Sequence, residues 1–576
     1  MGYSAIWRGG SIRGNFTGIL TIIFFSLIVI PGTTAAATLH VGPGQSYTTI
    51  QGAISASSPG DTIYVDGGNY AEIVNANKPV TLIGIVNGAG HLPVIDAAGH
   101  GGNAVSITSS GVTLDGFTIQ GATAGVGIHI DGSDIVLKNL NIQSNHRGIF
   151  ANVSENVEIT HCSFSDNLAV DITTFQYNHH LAIRDCTFRD NYGPCSILLL
   201  LTDYVTIENV TMDNVEWGIF SIFNNHSAYF NISITNCTTG IISEFSHDSR
   251  ITGCEVTTVN TSAMGIAFLA AGDVEMDDTA CSNSMVNLYL VECNDFTITN
   301  VTLKDSLERN CLIEECNNIA IFNSLLTGSQ ALSFQAEKSD QVLLSGLNVS
   351  GNGDGIMIKE CTNSVLRQSR ITDNDGCGLS LEDSQNISVV QNTFLNNQNY
   401  NAMSVNSPDA RWNTTVPAKY TYQANVYNNS TGNYWSDYTG ADTNGDGIGD
   451  VPYVNGDVID YFPLVTLSSG YDFSGRLPHI IPMGTTIDMS AFYSGATPIA
   501  PVTTPTAMPT SQPTATPAIT PAPAVTPTAT ALPSPDASAT PAQESQGSSN
   551  VLYIVIGALG LAIVGGVAAY LLFLRK

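Results

Sequence analysis

Charge is scarce in this chain: 12 % of its 576 residues are Asp, Glu, Lys or Arg, and Lys and Arg together number 19. Against 49 Asp and Glu the formal net charge is −30. No cationic stripe is available for a phosphate backbone, which excludes nucleic acid as a partner. Tryptophan is rare, at 4 residues. The 11 cysteines form no CxxC cluster and show no zinc spacing, and their odd number leaves at least one without an intrachain partner. Low charge does not make the chain disordered throughout, because 43 % of it is hydrophobic and can bury a large core. Gly is abundant, at 53 residues, which suits a turn-rich β protein outside the cell.

What is present is a repeat. A unit of apolar-x-apolar-x-turn-x-x-apolar begins at Val112, Ile135, Val157, Leu181, Val205, Ile232, Ser249, Val274, Phe296, Ile319, Val342, Ser364 and Ile387. Twelve steps span 275 residues, a mean near 22.9, with one irregular pair of 27 and 17 around Ile232. Alternation with period two inside each unit predicts a strand. The fifth slot is mostly Gly, Asn or Asp, from Gly116 and Asn139 through Asn236 to Gly346; these residues tolerate a left-handed backbone. A helix-free repeat of this length is one coil of a right-handed parallel β-helix. The chain is therefore expected to be all-β, a solenoid of about 13 coils of ~23 residues each.

The ends predict the compartment. Residues 1–37 read as a secretory signal, with Arg8 and Arg13 before an apolar run over 19–30 and small residues at Ala35-Ala36-Ala37. Residues 38–110 are expected to hold the N-terminal cap and first turns, 111–410 the repeats, and 411–490 a C-terminal cap. From 491 to 549 the composition collapses to Pro, Thr, Ala and Ser, with twelve of the 24 prolines between 497 and 549; this predicts a disordered Pro/Thr-rich stalk. Residues 551–574 are uncharged and long enough to span a bilayer, and Arg575-Lys576 follow on the cytoplasmic side. The expected protein is displayed outside the cell and anchored in the cytoplasmic membrane by this C-terminal helix. Sequons, Asn152, Asn225 and Asn260 among them, are consistent with an exported glycoprotein.

Two stretches carry a family likeness. Tyr47-Thr48-Thr49-Ile50-Gln51, with Pro59-Gly60-Asp61-Thr62-Ile63-Tyr64-Val65, resembles the first turns of pectin-lyase-like β-helices. Gly432-Asn433-Tyr434-Trp435-Ser436-Asp437-Tyr438 is similar to the close of NosD-type repeats, common in surface proteins of methanogenic archaea. The resemblance implies the fold over roughly residues 38–465 and leaves function open, since this scaffold hosts lyases, hydrolases, epimerases and binding proteins. It also implies a copper reading, for which His161-Cys162 and His179-His180, one coil on, are the available donors.

Candidate chemistry is sparse. Asp442, Asn444, Asp446, the carbonyl of Ile448 and Asp450 alternate around Gly447, the pattern of a loop that wraps a hard cation, so a structural Ca²⁺ is expected there. Position twelve of that loop is Tyr453, not a glutamate, leaving Asp457 or Asp460 to close the shell. In-register coils would stack Glu292, Glu315, Lys338, Glu360 and Asp383 on one flank, with Glu314, Glu337, Lys359 and Glu382 one position earlier; the flank is expected to be a solvated face that discourages sideways association, with a groove for cations or sugar hydroxyls as the alternative. Cys162, Cys186, Cys237 and Cys254 share one slot, and Cys293, Cys316 and Cys361 another, as mostly reduced structural thiols. Asp277-Asp278 is an adjacent pair, yet Asp278 falls in the turn slot, and no carboxylate pair can be given the spacing glycoside hydrolysis requires. No catalytic residue follows. The expected role is structural or adhesive: binding of polysaccharide or surface-layer components. A polysaccharide lyase, hydrolase or epimerase is the alternative, and copper handling a lesser one.

Overall fold

The computed structural model describes residues 36–259 and 264–473. The expected signal at 1–37 falls almost wholly outside them, as do the end of the expected cap, the stalk and the membrane segment. Among the described residues no helix is long and apolar enough to cross a membrane.

Each coil lays down short strands that bend away from one another, as in Thr113–Asp115, Thr118–Gln120 and Val126–Ile130. Stacking of successive coils gathers these strands into one 31-stranded and one 15-stranded sheet, both parallel. Ile319 pairs with Phe296 on one side and Val342 on the other, at the spacing of one repeat. One inward column can be followed from end to end: Leu39, Ile63, Leu82, Leu114, Leu137, Ile159, Ile183, Ile207, Tyr229, Ile251, Met276, Ile298, Ile321, Leu344, Leu366 and Val389. The chain is a right-handed parallel β-helix of about 16 turns of ~23 residues.

The sequence repeat begins at Val112 and so misses the first three turns. Their steps of 24, 19 and 32 residues, between Leu39, Ile63, Leu82 and Leu114, break the period. The irregular steps near Ile232 are also corrected. Thr206 pairs with Ala228, and Ala228 with Arg250, so the coil starts at Ser227, and Ile232 sits one slot on, beside Val210. A buried serine at the start of this coil hides the apolar pattern. The turn residue is then Asn231 rather than Asn236, and Cys237 leaves the column of Cys162, Cys186 and Cys254.

With that correction every turn slot from Gly116 to Gln391 has a positive φ, among them Asn139 (+55°), Asn231 (+49°) and Asp278 (+48°). Side-chain amides tie neighbouring turns together: Asn139 donates to Asp115 (2.7 Å) and Asn231 to Asn209 (2.8 Å).

A second ladder runs inside the coil. Buried Asn374 accepts from the backbone N–H of Asn352 (3.2 Å) and its side-chain amide (2.9 Å), then donates to Asn397 (2.8 Å). Such satisfied amides are what allow polar side chains in an apolar interior. Aromatic rings stack in the same way, Phe164 on Phe188 at 4.6 Å. All eleven cysteines are free thiols and all but Cys377 are buried. Burial pushes Cys254 and Cys361 up to about 11, which keeps the unreactive protonated form.

The helix Ile50–Ala56 closes the N-terminal end, with the Thr49 hydroxyl accepting the Gly52 N–H and Ile50, Ala53 and Ile54 seated on the core. At the other end Trp435 stacks on Phe394 (4.7 Å) and Tyr453 (4.4 Å). A small separate core of Tyr420, Tyr422, Ile448, Leu464, Tyr471 and Phe473 follows.

Candidate functional site

The 15-stranded sheet ends, coil after coil, in a short turn whose first residue carries the predicted flank. The register runs Val153, Gln176, Leu201, Phe223, Phe245, Ala270, Glu292, Glu315, Lys338, Glu360 and Asp383. Glu292, Glu315, Glu360 and Asp383 do share one column, with Lys338 among them. Only the charged half of this column is visible as a pattern in the sequence. Of the earlier coils, four carry bulky apolar groups in the same position, Val153, Leu201, Phe223 and Phe245, and two carry Gln176 and Ala270.

All of these residues stand in the left-handed region, among them Val153 at +47°, Leu201 at +52°, Phe223 at +55°, Phe245 at +51° and Glu292 at +53°. Tyr177 (+48°) follows Gln176 in a turn one residue longer. For a β-branched or bulky residue this conformation costs roughly 1–2 kcal/mol relative to Gly. The side chains are nonetheless in solvent, with Leu201 38 %, Phe223 and Phe245 47 %, Val153 57 % and Tyr177 70 % exposed. Phe223 stacks on Phe245 at 5.0 Å. Three residues on, a parallel column stacks His180 on Tyr204 (5.0 Å) and Tyr204 on His226 (4.5 Å), and His226 pairs with Asp248 at 3.2 Å.

Beside the charged half, the outer side of the sheet holds an ordered polar track. The buried Tyr289 hydroxyl donates to Glu314 at 2.6 Å. Arg309 donates to Gln335 (2.7 Å), Gln335 to Glu337 (2.8 Å), and Lys359 and Lys338 approach Glu337 at 3.7 and 3.9 Å. Ser380 donates to Glu382 at 3.0 Å. Within this track Glu314, Glu337 and Glu382 are each held by a donor, and Lys359 lies between Glu337 and Glu382, which offsets the repulsion between neighbouring carboxylates. Glu244, next to Phe245, lies in register between Ile222 and Leu269; burial alone raises its carboxyl to about 7. The Tyr289–Glu314 contact escapes a sequence reading because the two residues are 25 apart, and one coil is only the repeat's approximate length.

The loop from Asp442 to Asp450 is closed by its own side chains. Asp442 accepts the amides of Gly445 (2.7 Å) and Gly447 (2.8 Å), Asn444 that of Asp446 (2.9 Å), Asp446 that of Ile448 (2.9 Å) and Asp450 that of Thr443 (2.9 Å). Asp460 does not face this loop: it is fully buried, accepts the Asn433 N–H (2.7 Å) and the Trp435 indole N–H (3.0 Å), and burial raises it to about 7. Asp278 holds a turn, and Asp277 accepts from Asn300 at 3.2 Å.

The copper donors do not converge. His161 points outward beside Asp185 (3.8 Å), while Cys162 is buried and donates to the carbonyls of Thr160 (3.3 Å) and Leu137 (3.8 Å). His180 is committed to its stack on Tyr204. Among the described residues no three His, Cys, Asp or Glu side chains are grouped to hold a metal ion. This donor arrangement does not fit copper.

The family model described as periplasmic copper-binding protein (NosD) matches residues 103–268 and 230–440. No curated protein matches the chain. Among solved structures, the A-module of the Azotobacter vinelandii mannuronan C-5 epimerase AlgE6 is similar at 15 % identity and a TM-score of 0.26, over 63 % of this chain and 93 % of that one. A pectin methylesterase of Aspergillus niger is similar at 14 % identity and a TM-score of 0.23, over 45 % and 86 %. The Dettilon tailspike protein is similar at 11 % identity and a TM-score of 0.34, over 63 % and 67 %.

Proposed function

The chain belongs to the NosD family, and from that premise we propose an adhesive surface protein rather than a copper carrier. In this reading it is exported, held at the membrane by residues 551–574, and displayed on its Pro/Thr-rich stalk. It binds polysaccharide or surface-layer components along the turn edge that runs from Val153 to Asp383. One observation carries the reading: bulky apolar side chains occupy strained, left-handed turn positions in solvent, where most other turns of this protein use Asn, Asp or Gly. Strain that improves no core packing points to a contact outside the chain. The ordered polar track beside the charged half offers donors and acceptors to hydroxyl groups.

The test is binding of the full chain to a panel of polysaccharides and surface-layer preparations. A Phe223→Ser, Phe245→Ser double variant should lose at least about tenfold in affinity, a change of 1.4 kcal/mol. Absence of any binding by the unaltered chain, or equal binding by the double variant, would overturn the reading.

A second reading, a polysaccharide lyase, hydrolase or epimerase, rests on the Tyr289–Glu314 hydrogen bond with Glu337 one coil away. It requires turnover of a polymer by the unaltered chain that Glu314→Gln abolishes. Calcium at Asp442, Asn444, Asp446, Ile448 and Asp450 belongs to the same proposal as a structural ion of the C-terminal cap. To bind it, the carboxylates must trade some amide contacts for the ion.

A further inference from the structure

Where the last coil meets the cap, a pocket of about 590 Å³ opens to solvent, within the roughly 300–1,000 Å³ of small-molecule sites. The stretch that closes the repeats builds it. Trp435, clamped between Phe394 and Tyr453, fixes the chain so that Ser436 and Asp437 line the pocket. Each Asp437 carboxylate oxygen already has one donor, Asn401 at 2.8 Å and the Tyr453 hydroxyl at 3.0 Å, and each keeps acceptor capacity. Asn401 is itself oriented by Asn397 (3.2 Å) and Ser436 (3.2 Å). Burial holds the Tyr453 phenol above its ordinary value, so it stays a donor. Two glycines make room for Tyr438: a Cβ on Gly440 or Gly449 would clash with its hydroxyl. At the rim Tyr400 is 54 % exposed.

The lining selects by charge. Among the described residues it contains Asp437 and no Lys, Arg or His, so a carboxylate or phosphate ligand would meet a negative group with no described cation to offset it. Its remaining polar groups are amides and hydroxyls, which pair with neutral hydroxyls, and an exposed tyrosine offers an apolar surface for ring C–H groups.

We propose that this pocket binds one unit of a neutral sugar, its hydroxyls on Asp437 and the asparagine amides and its ring against Tyr400. The site is separate from the turn edge, so the two can be tested apart. The probes are the methyl glycosides of glucose, galactose, mannose and N-acetylglucosamine, with methyl galacturonide as the anionic comparison. Binding to the full chain is read by saturation-transfer NMR. At least one neutral glycoside should bind, with the uronide at least about tenfold weaker. Tyr400→Ala, at an exposed rim position that leaves the core intact, and Asp437→Asn should each weaken binding by about tenfold, with unchanged circular dichroism. Phe223→Ser should leave this binding untouched. No binding of any neutral glycoside, undiminished binding in Tyr400→Ala, or the uronide bound as well as the neutral probes would overturn the proposal. Loss of pocket binding with polysaccharide adhesion intact would leave the turn-edge reading standing.

Discussion

Single residues set this fold through two kinds of asparagine. Those in turns accept a left-handed backbone, and their slot is legible in the sequence because Gly, Asn and Asp alternate there. Those inside the coil, such as Asn352, Asn374 and Asn397, are hidden by the same abundance: nothing in spacing alone separates a buried amide from a turn amide. Asn374→Ala should cost about 1–3 kcal/mol, because it removes the buried oxygen that accepts the backbone and side-chain amides of Asn352; denaturant unfolding measures it. Glu244 gives the residue-scale pH dependence. Burial raises its carboxyl from 4.5 to about 7, so the folded chain holds a proton that the unfolded chain releases. Stability should fall as pH rises from 4.5 toward 7. Glu244→Gln should flatten that slope, and a slope unchanged in the variant would contradict the assignment.

At the scale of elements, strands were readable and turns only half so. Alternation marked the strands correctly, and the fifth slot marked one turn. At the turn that ends the 15-stranded sheet, the sequence marks only the stacked charges Glu292, Glu315, Glu360 and Asp383, and no pattern singles out Leu201, Phe223 or Phe245. A hydrophobic side chain in a left-handed turn contradicts the usual signal, and only the register exposes it. Phe223→Asn should therefore raise stability by up to about 1 kcal/mol by relieving the backbone while weakening adhesion, measured by thermal unfolding and by binding on the same sample. Stability lost together with adhesion would mean that the ring supports the fold. In the cap, calcium should raise the melting temperature of the full chain, and Asp442→Asn should remove that rise; an equal rise in the variant would place the ion elsewhere.

For the molecule as a whole, the repeat length was enough to infer a solenoid, and the period failed where coils vary: at the first three turns, which carry a helix and uneven loops, and at Ser227. Function was far less legible. Columns matter more than motifs here, and a column exists only once the register is known. The account accordingly rests on one geometric claim, that residues one repeat apart are neighbours on the surface as well as in the core. Glu292→Cys with Glu315→Cys places cysteines on adjacent coils with their Cα atoms about 4.8 Å apart along the stack, inside disulfide range. Glu292→Cys with Lys338→Cys places them two coils apart, near 10 Å and beyond it. Mild oxidation of the full chain, read by mass spectrometry against the unaltered protein, should cross-link the first pair and not the second. A second pair that links as readily as the first, or a first pair that never links, would contradict the stacked register on which the turn edge depends.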